Sequence, residues 1–168
     1  LLKSFLGRPS LLIVEDEEEW KDKLGEHLNN SGLKRLFSDI KFAPSAEKAM
    51  GFLKELRRPL IVVLDLLIPR REGEDPDERN SFELLNSIKE ERIRVVVYSG
   101  YVNEWELRDR LMKEGVPLLD IIPKGREEEL ISRLFCAVKG LERGAYVIEQ
   151  HKRFHVLEIW ESRKDKIR

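Results

Sequence analysis

The stretch LIVVLDLLIP, residues 60–69, decides how this chain folds. Its first five residues are all apolar, without the alternation that marks a strand with one face in water. A strand that is apolar on both faces is typical of the interior of a parallel sheet covered by helices on both sides. The run ends abruptly in a carboxylate, so the sequence predicts a buried central strand over Leu60–Leu64 with Asp65 at its carboxyl end.

Four more strands are predicted from apolar runs that helical patterns separate. Residues 11–14 and 93–98 resemble the central run, 118–122 is a fifth strand, and 40–43 is a weaker one. Parallel strands need a crossover between them, usually a helix, and these crossovers are right-handed. Five such alternations predict an α/β fold with a doubly wound parallel sheet and helices on both faces.

Helices are predicted where N-cap residues precede apolar residues at helical spacing. Ser45 is a good N-cap, and Asn80 and Asn103 each precede a glutamate by three residues, which resembles a capping box. Trp105 is expected to pack against or cap a helix, and Cys136 to be a small core residue. The inner face predicted for the last helix consists of Leu130, Ile131, Leu134, Phe135 and Val138.

The charge balance limits the classes of partner. Among 168 residues, 31 Lys and Arg face 32 Asp and Glu, which leaves a net charge of −1 at pH 7. This balance argues against a general electrostatic grip on nucleic acid or on acidic membranes. No apolar run approaches the roughly 18 residues of a membrane span. The single cysteine fits a reducing cytosol, so we expect a cytoplasmic protein. The charge balance and the lack of a long apolar run lead us to expect no direct contact with nucleic acid or membrane.

Polar side chains follow four of the predicted strands, at the sheet edge where ligands bind in open α/β folds. They are Glu15, Asp16 and Glu17 after strand 1, Asp65 after strand 3, Ser99 after strand 4 and Lys124 after strand 5. Carboxylates at two strand ends suit Mg²⁺, which lets an anionic carboxylate approach an anionic phosphoryl donor. Asp65 is then the nucleophile, while Lys124 and Ser99 bind phosphoryl oxygens.

Four stretches of the sequence resemble the receiver domain of response regulators, the switch of two-component signalling. They are LLIVEDE at 11–17, VVLDLLIP at 62–69, VVVYSG at 95–100 and DIIPKG at 120–125. The resemblance implies a flavodoxin-like five-stranded sheet in the order 2-1-3-4-5. It also implies Mg²⁺ as cofactor, a sensor histidine kinase or histidine phosphotransfer protein as partner, and a phosphorylated switch rather than an enzyme.

The resemblance also assigns a role to each residue of the predicted site. Asp65 matches the phosphoacceptor, and Pro69 matches the proline that follows it by four residues. Ser99 and Lys124 match the hydroxyl residue and the lysine that bind the phosphoryl group and drive the switch. The implied metal ligands are Glu15, Asp16, Asp65 and the backbone carbonyl of Leu67.

Some positions depart from the family pattern. Pro123 precedes the lysine and Gly125 follows it, whereas the family usually has proline after the lysine. The loop over residues 70–81 is longer than usual and acidic. Ile121 stands where the family often has a switch aromatic, and Tyr101 is an alternative aromatic two residues past Ser99.

The chain is predicted to divide into a receiver domain, residues 1–144, and a C-terminal extension, residues 145–168. The extension is too apolar for a disordered end, and its pattern is compatible with a hairpin or with a last helix. Either would dock on the receiver or on a second subunit, which leaves a homodimer open. The extension is too short for a helix-turn-helix output domain.

Three other functions compete with the phosphorylation switch. A receiver-shaped interaction module that signals without phosphate is the main alternative. A phosphatase with an aspartate nucleophile needs an acid/base carboxylate two residues on, where this chain has Leu67. A nucleotide kinase is disfavoured because the sequence has no G-x-x-x-x-G-K loop.

Overall fold

Residues 7–100 and 103–150 are described by the structure, a computed structural model, and of residues 141–150 only the backbone is described. The strands are β1 (Ser10–Val14), β2 (Asp39–Ala43), β3 (Leu60–Leu64), β4 (Ile93–Ser99) and β5 (Leu118–Pro123). The α-helices are α1 (Glu18–Asn30), α2 (Ala46–Glu55), α3 (Glu78–Asn86), α4 (Glu104–Lys113) and α5 (Glu127–Gln150). A short 3₁₀ helix, Leu33–Leu36, precedes β2.

The strands form one parallel sheet in the order β2-β1-β3-β4-β5, which confirms the predicted fold and strand order. Val14 of β1 is level with Leu64 of β3, which is in turn level with Val97 of β4. Because the strands are parallel and in this register, their carboxyl ends lie at one edge of the sheet. The chain leaves β1 at Glu15 and β3 at Asp65, and the backbone N–H of Asp65 donates to the carbonyl of Val14 at 3.0 Å.

Apolar side chains pack on both faces of the sheet. On one face, Leu12 and Val62 belong to a cluster that includes residues of α2, α3 and α4. On the other face, Leu11 and Ile61 pack with residues of α1 and α5. All five residues of β3 are buried, which explains why its sequence does not alternate. Burial of each such side chain contributes about 1.5–3 kcal/mol, so the strand that carries Asp65 is firmly held.

The helix starts agree only in part with the predicted caps. Ser45 caps α2 as predicted, because its Oγ accepts from the backbone N–H of Lys48 at 3.2 Å. The capping box predicted at Asn80 is wrong, since α3 already begins at Glu78 with Asp77 as its N-cap. The side chain of Asn80 donates instead to the carbonyl of Ile68 at 2.9 Å.

A backbone β-bridge explains why α3 begins before the predicted start at Asn80. The backbone N–H of Asp77 donates to the carbonyl of Ile68 at 3.1 Å, and the two residues form an isolated antiparallel bridge. This bridge fixes Asp77 against Ile68, three residues before Asn80, and the helix begins directly after Asp77. At α4, Asn103 occupies the N-cap position as predicted but makes no side-chain capping hydrogen bond.

Three helix residues are exposed, although Phe135 and Cys136 were expected in the core and Trp105 was expected to pack against or cap a helix. Trp105 is 84% exposed and Phe135 is 48% exposed, and Cys136 is exposed as well. The face of α5 that is buried consists of Leu130, Leu134, Ala137 and Val138. Phe135 follows Leu134 directly, and one residue turns the side chain by about 100° around a helix, away from the sheet.

Helix α5 continues past the predicted domain boundary at 144/145 as far as Gln150. The rest of the C-terminal extension, residues 151–168, lies outside the described residues. Within the described part of the chain, the helices include none with the length and apolar character needed to cross a membrane.

Candidate functional site

The side chain of Asp65 lies at the centre of the carboxyl edge of the sheet and is only 4% exposed. Its Oδ1 accepts hydrogen bonds from Ser99 Oγ at 2.8 Å and from the backbone N–H of Leu67 at 3.3 Å. Its Oδ2 accepts from Lys124 Nζ at 2.7 Å. The ends of β3, β4 and β5 therefore meet on one carboxylate, and the structure brings together Asp65, Ser99 and Lys124 as the sequence predicts.

The ammonium of Lys124 joins the end of β5 to the end of β1. Its Nζ lies 2.8 Å from Glu15 Oε2 and 3.7 Å from Glu17 Oε1, in addition to its contact with Asp65. The side chain is only 6% exposed. Burial by itself lowers the pKa of Lys124, but hydrogen bonds to Asp65 and Glu15 outweigh it, so the pKa lies above its usual value.

Four carboxylates lie together at this edge of the sheet, and three of them pair with the ammonium of Lys124. Glu15, Asp16, Glu17 and Asp65 each offer an oxygen, and these oxygens all lie within 4.8 Å of one another. Glu15 is buried, Asp16 is half-buried and Glu17 is exposed, so the cluster runs from the interior to the surface. Four carboxylates against one ammonium leave an excess of negative charge that a divalent cation would offset. Carboxylate oxygen is also the ligand type that Mg²⁺ prefers.

The pKa values of two of these carboxyls record their environment. Burial raises the pKa of Glu15 to about 7 from its ordinary 4.5, and the charge of Asp65 adds to the increase while Lys124 opposes it. Burial likewise raises the pKa of Asp16, with further contributions from Asp65 and Glu17. The ionised cluster is therefore costly to hold without a cation at this edge of the sheet.

The loop that follows Asp65 is anchored to α2. The carbonyl of Pro69 accepts from the backbone N–H of Ala46 at 2.9 Å, and the carbonyl of Arg70 accepts from Glu47 at 3.0 Å. The Arg71 side chain pairs with the Glu47 carboxylate at 2.7 Å. Two unpaired donors of the α2 N-terminus are thus satisfied by the loop, which holds the backbone after Asp65 in place.

Leu67 occupies the position predicted to offer its backbone carbonyl to the metal. Its backbone N–H points to Asp65 Oδ1, and its side chain is 50% exposed. Ile121, which stands in place of the family's switch aromatic, is buried in the core beside α4. Tyr101, the alternative aromatic, lies outside the described residues.

Two aromatic residues that the sequence did not point to lie beside Lys124. The ring of Trp20, in the first turn of α1, has Lys124 Nζ 5.3 Å from its centroid. The ring of Tyr98 meets the Trp20 ring edge-on, with centroids 6.3 Å apart. The Tyr98 hydroxyl accepts from the backbone N–H of Gly125 at 3.1 Å, and burial raises the pKa of Tyr98 to about 12.

Sequence patterns gave only weak signals for these additional residues. Tyr98 directly precedes Ser99. Trp20 lies five residues past Glu15 in the sequence. It lies beside Lys124 at the strand ends because α1 already starts at Glu18.

Of the comparisons with known proteins, the one with solved structures identifies the fold. No protein-family model matches the chain, and no curated protein sequence matches it. Among solved structures, a CheY-like receiver domain protein from Methanospirillum hungatei matches with a TM-score of 0.61 at 16% identity, covering 82% of this chain and 99% of its own. The signal receiver domain of a LuxO-type repressor protein from Vibrio parahaemolyticus matches with a TM-score of 0.60 at 18% identity, covering 86% and 97%.

A third match has higher sequence identity. The phosphorylated cyanobacterial phytochrome response regulator RcpA is 27% identical, with a TM-score of 0.53, over 81% of this chain and 92% of its own. Together these matches show that the chain has the fold of response-regulator receiver domains, and they confirm at that level the resemblance seen in the sequence.

Proposed function

We propose that this chain is a response-regulator receiver that accepts a phosphoryl group on Asp65 from a phosphohistidine. The observation that carries the proposal is the set of side chains around the buried carboxylate of Asp65. A hydroxyl and an ammonium contact its two oxygens, and three further carboxylates lie beside it. The receiver fold of the structural relatives supports the same function.

Mg²⁺ is the cofactor that fits this donor set. Asp16 and Asp65 would hold it, with Glu15 acting mainly through water and Leu67 offering its backbone carbonyl. Glu17 belongs to the same cluster of oxygens and is a further candidate. When bound, Mg²⁺ supplies the positive charge that lets an anionic carboxylate approach an anionic phosphoryl donor.

The residues of the chain divide the remaining tasks. An oxygen of Asp65 forms a bond to phosphorus while the phosphorus–nitrogen bond of the donor breaks and the imidazole leaves with the bonding electron pair. Ser99 Oγ, which donates to Asp65 at 2.8 Å, turns to a phosphoryl oxygen. Lys124 stays beside the new phosphoryl group as a point charge, because its short, buried ion pairs already place it there.

The partners follow from this chemistry. A phosphoryl donor is required, and a sensor histidine kinase or a histidine phosphotransfer protein supplies one in two-component signalling. The chain then acts as a switch of protein–protein interactions in the cytoplasm, and its only chemistry is its own phosphorylation and dephosphorylation. A switch responds only if the phosphoryl group contacts the two states differently, and Ser99 and Lys124 provide that difference.

Labelling with acetyl phosphate tests the proposal. In Mg²⁺, the wild type should gain one phosphoryl group by intact mass, and Asp65→Asn should gain none. Asp39→Asn is a matched control, because Asp39 is also on a strand of the sheet but begins β2, far from the carboxyl edge. Its labelling should equal that of the wild type.

Two results would contradict the proposal. Equal labelling of the wild type and Asp65→Asn would show that another residue accepts the phosphoryl group. A wild type that is labelled neither by acetyl phosphate nor by a panel of phosphorylated kinases would favour the alternative, an interaction module that signals without phosphate.

A further inference from the structure

We infer that Trp20 is a positioning residue for Lys124, whose ammonium its indole ring keeps directed at the phosphoryl group. The inference rests on the function proposed above and extends it to a residue outside the acidic edge. Trp20 is half-buried in the first turn of α1, and Lys124 Nζ lies 5.3 Å from its ring centroid. The face of a tryptophan ring attracts a cation within about 6 Å, and the attraction grows when water is excluded.

Phosphorylation changes every charged partner of Lys124. In the structure its ammonium is held by Glu15 and Asp65, at 2.8 and 2.7 Å. Once Asp65 carries a phosphoryl group, its carboxylate has become part of an acyl phosphate, a mixed anhydride, and the remaining carboxylates would hold the metal. The indole ring is uncharged and offers no ligand to Mg²⁺, so its contact with Lys124 persists in both states. Trp20 therefore matters most when the carboxylate partners are lost.

Trp20 also contacts a second aromatic ring. The Tyr98 ring meets it edge-on at an interplanar angle of 84°, an arrangement that aromatic pairs favour. The Tyr98 hydroxyl accepts from Gly125, the residue after Lys124. Tyr98 thus braces both the indole ring and the backbone beside Lys124, and its 1% exposure leaves it little room to move.

A second cation contacts the same ring and provides a control. Lys23 Nζ lies 4.6 Å from the Trp20 centroid, but its side chain is 45% exposed and pairs with Glu19 at 2.9 Å. Lys23 has no recorded contact with Asp65 or Glu15 in the part of the chain that the structure describes. Its removal should therefore leave the site unaffected, although the ring contact is shorter.

The test is titration of the full chain with beryllofluoride, an acyl-phosphate mimic, in saturating Mg²⁺, followed by calorimetry. Trp20→Leu should weaken binding about five- to thirty-fold, the range expected when a partly desolvated cation–π contact is lost. Trp20→Phe keeps an aromatic face and should recover most of the affinity. The affinity for Mg²⁺ alone should change less than about two-fold in both variants, since the indole ring offers no ligand to Mg²⁺.

Controls separate this role from a merely structural one. Trp105→Leu, at a ring that is 84% exposed on α4, and Lys23→Gln should bind beryllofluoride as the wild type does. In a Lys124→Met background, Trp20→Leu should have no further effect, because the ring then has no site cation to position. If Trp20→Leu does not fold, fluorinated tryptophan in a chain with Trp105→Phe and Trp160→Phe should lower the affinity with each added fluorine.

The outcomes distinguish this inference from the proposed function. Equal affinities of Trp20→Leu and Trp20→Phe, or a loss that persists in the Lys124→Met background, would overturn the positioning role alone. An affinity that does not respond to fluorination would do the same. A wild type that binds no beryllofluoride in Mg²⁺ would overturn both the proposed function and this inference.

Discussion

Replacing Glu15 by glutamine should remove a distinct part of the pH dependence of stability. Glu15 is 3% exposed, and its pKa in the folded protein is about 7 against an ordinary 4.5. Between these values the folded protein keeps a proton that the unfolded chain releases. The free energy of unfolding therefore falls as pH rises through this window, and the contribution of Glu15 is fully present only below about pH 4.5.

The magnitude follows from the two pKa values. At about 1.4 kcal/mol per pKa unit, the whole window is worth roughly 3 kcal/mol, of which about 2.5 kcal/mol falls between pH 5 and pH 8. Urea unfolding in EDTA at these two pH values, followed by circular dichroism, measures it. The decrease in the free energy of unfolding from pH 5 to pH 8 should be smaller in Glu15→Gln than in the wild type by about this amount.

A control variant and a measurement in Mg²⁺ complete this experiment. Glu26→Gln, at an exposed position of α1, should keep the pH dependence of the wild type. Saturating Mg²⁺ should flatten the pH dependence of the wild type, because a cation favours the ionised form of Glu15 and so lowers its pKa. If the wild type and Glu15→Gln show the same pH dependence in EDTA, then burial does not raise this pKa and the account of the acidic cluster is incorrect.

Three other perturbations probe the site and the fold. Asp16→Ala should weaken Mg²⁺ binding at least about tenfold in a fluorescence titration, and it should slightly raise the stability of the metal-free protein, because burial and, to a smaller extent, repulsion from Asp65 and Glu17 raise the pKa of Asp16; unchanged Mg²⁺ affinity would mean a different ligand set. Ser99→Ala should abolish most of the change in hydrogen exchange that beryllofluoride causes in residues 100–125 and 145–160, because the variant lacks the hydroxyl that donates to this phosphoryl mimic. A full response in the variant would mean that another residue couples the site to these segments. Asp77→Ala should lower the free energy of unfolding by about 1 kcal/mol, since the cap of α3 is lost; a urea midpoint equal to that of the wild type would contradict this.

The fold and the centre of the site were predictable because both depend on short-range patterns. A strand buried on both faces must be apolar throughout, as Leu60–Leu64 is, and such strands require parallel neighbours and helical crossovers. Parallel strands in register bring their ends together, so the meeting of Asp65, Ser99 and Lys124 followed from the positions where three apolar runs stop.

The remaining features depend on contacts between distant parts of the chain. Trp20 reaches Lys124 only because just three residues separate the end of β1 from the start of α1, and no periodicity specifies that distance. The start of α3 was misplaced because the bridge from Asp77 to Ile68 sets it, rather than the capping preference of Asn80. The exposure of Trp105 and Phe135 depends on how each helix is rotated on the sheet, and an apolar residue at the border of a helix face does not determine that rotation.

The bridge between Ile68 and Asp77 makes the loop above the site a place where chain length is free to change. The two ends of the loop are joined by the bridge, and the carbonyls of Pro69 and Arg70 accept hydrogen bonds from α2. Residues 72–76 take part in neither of these interactions. Doubling a flexible loop adds only about 0.6 kcal/mol of closure entropy. A peptide tag or a small domain inserted there should leave Asp65 in place.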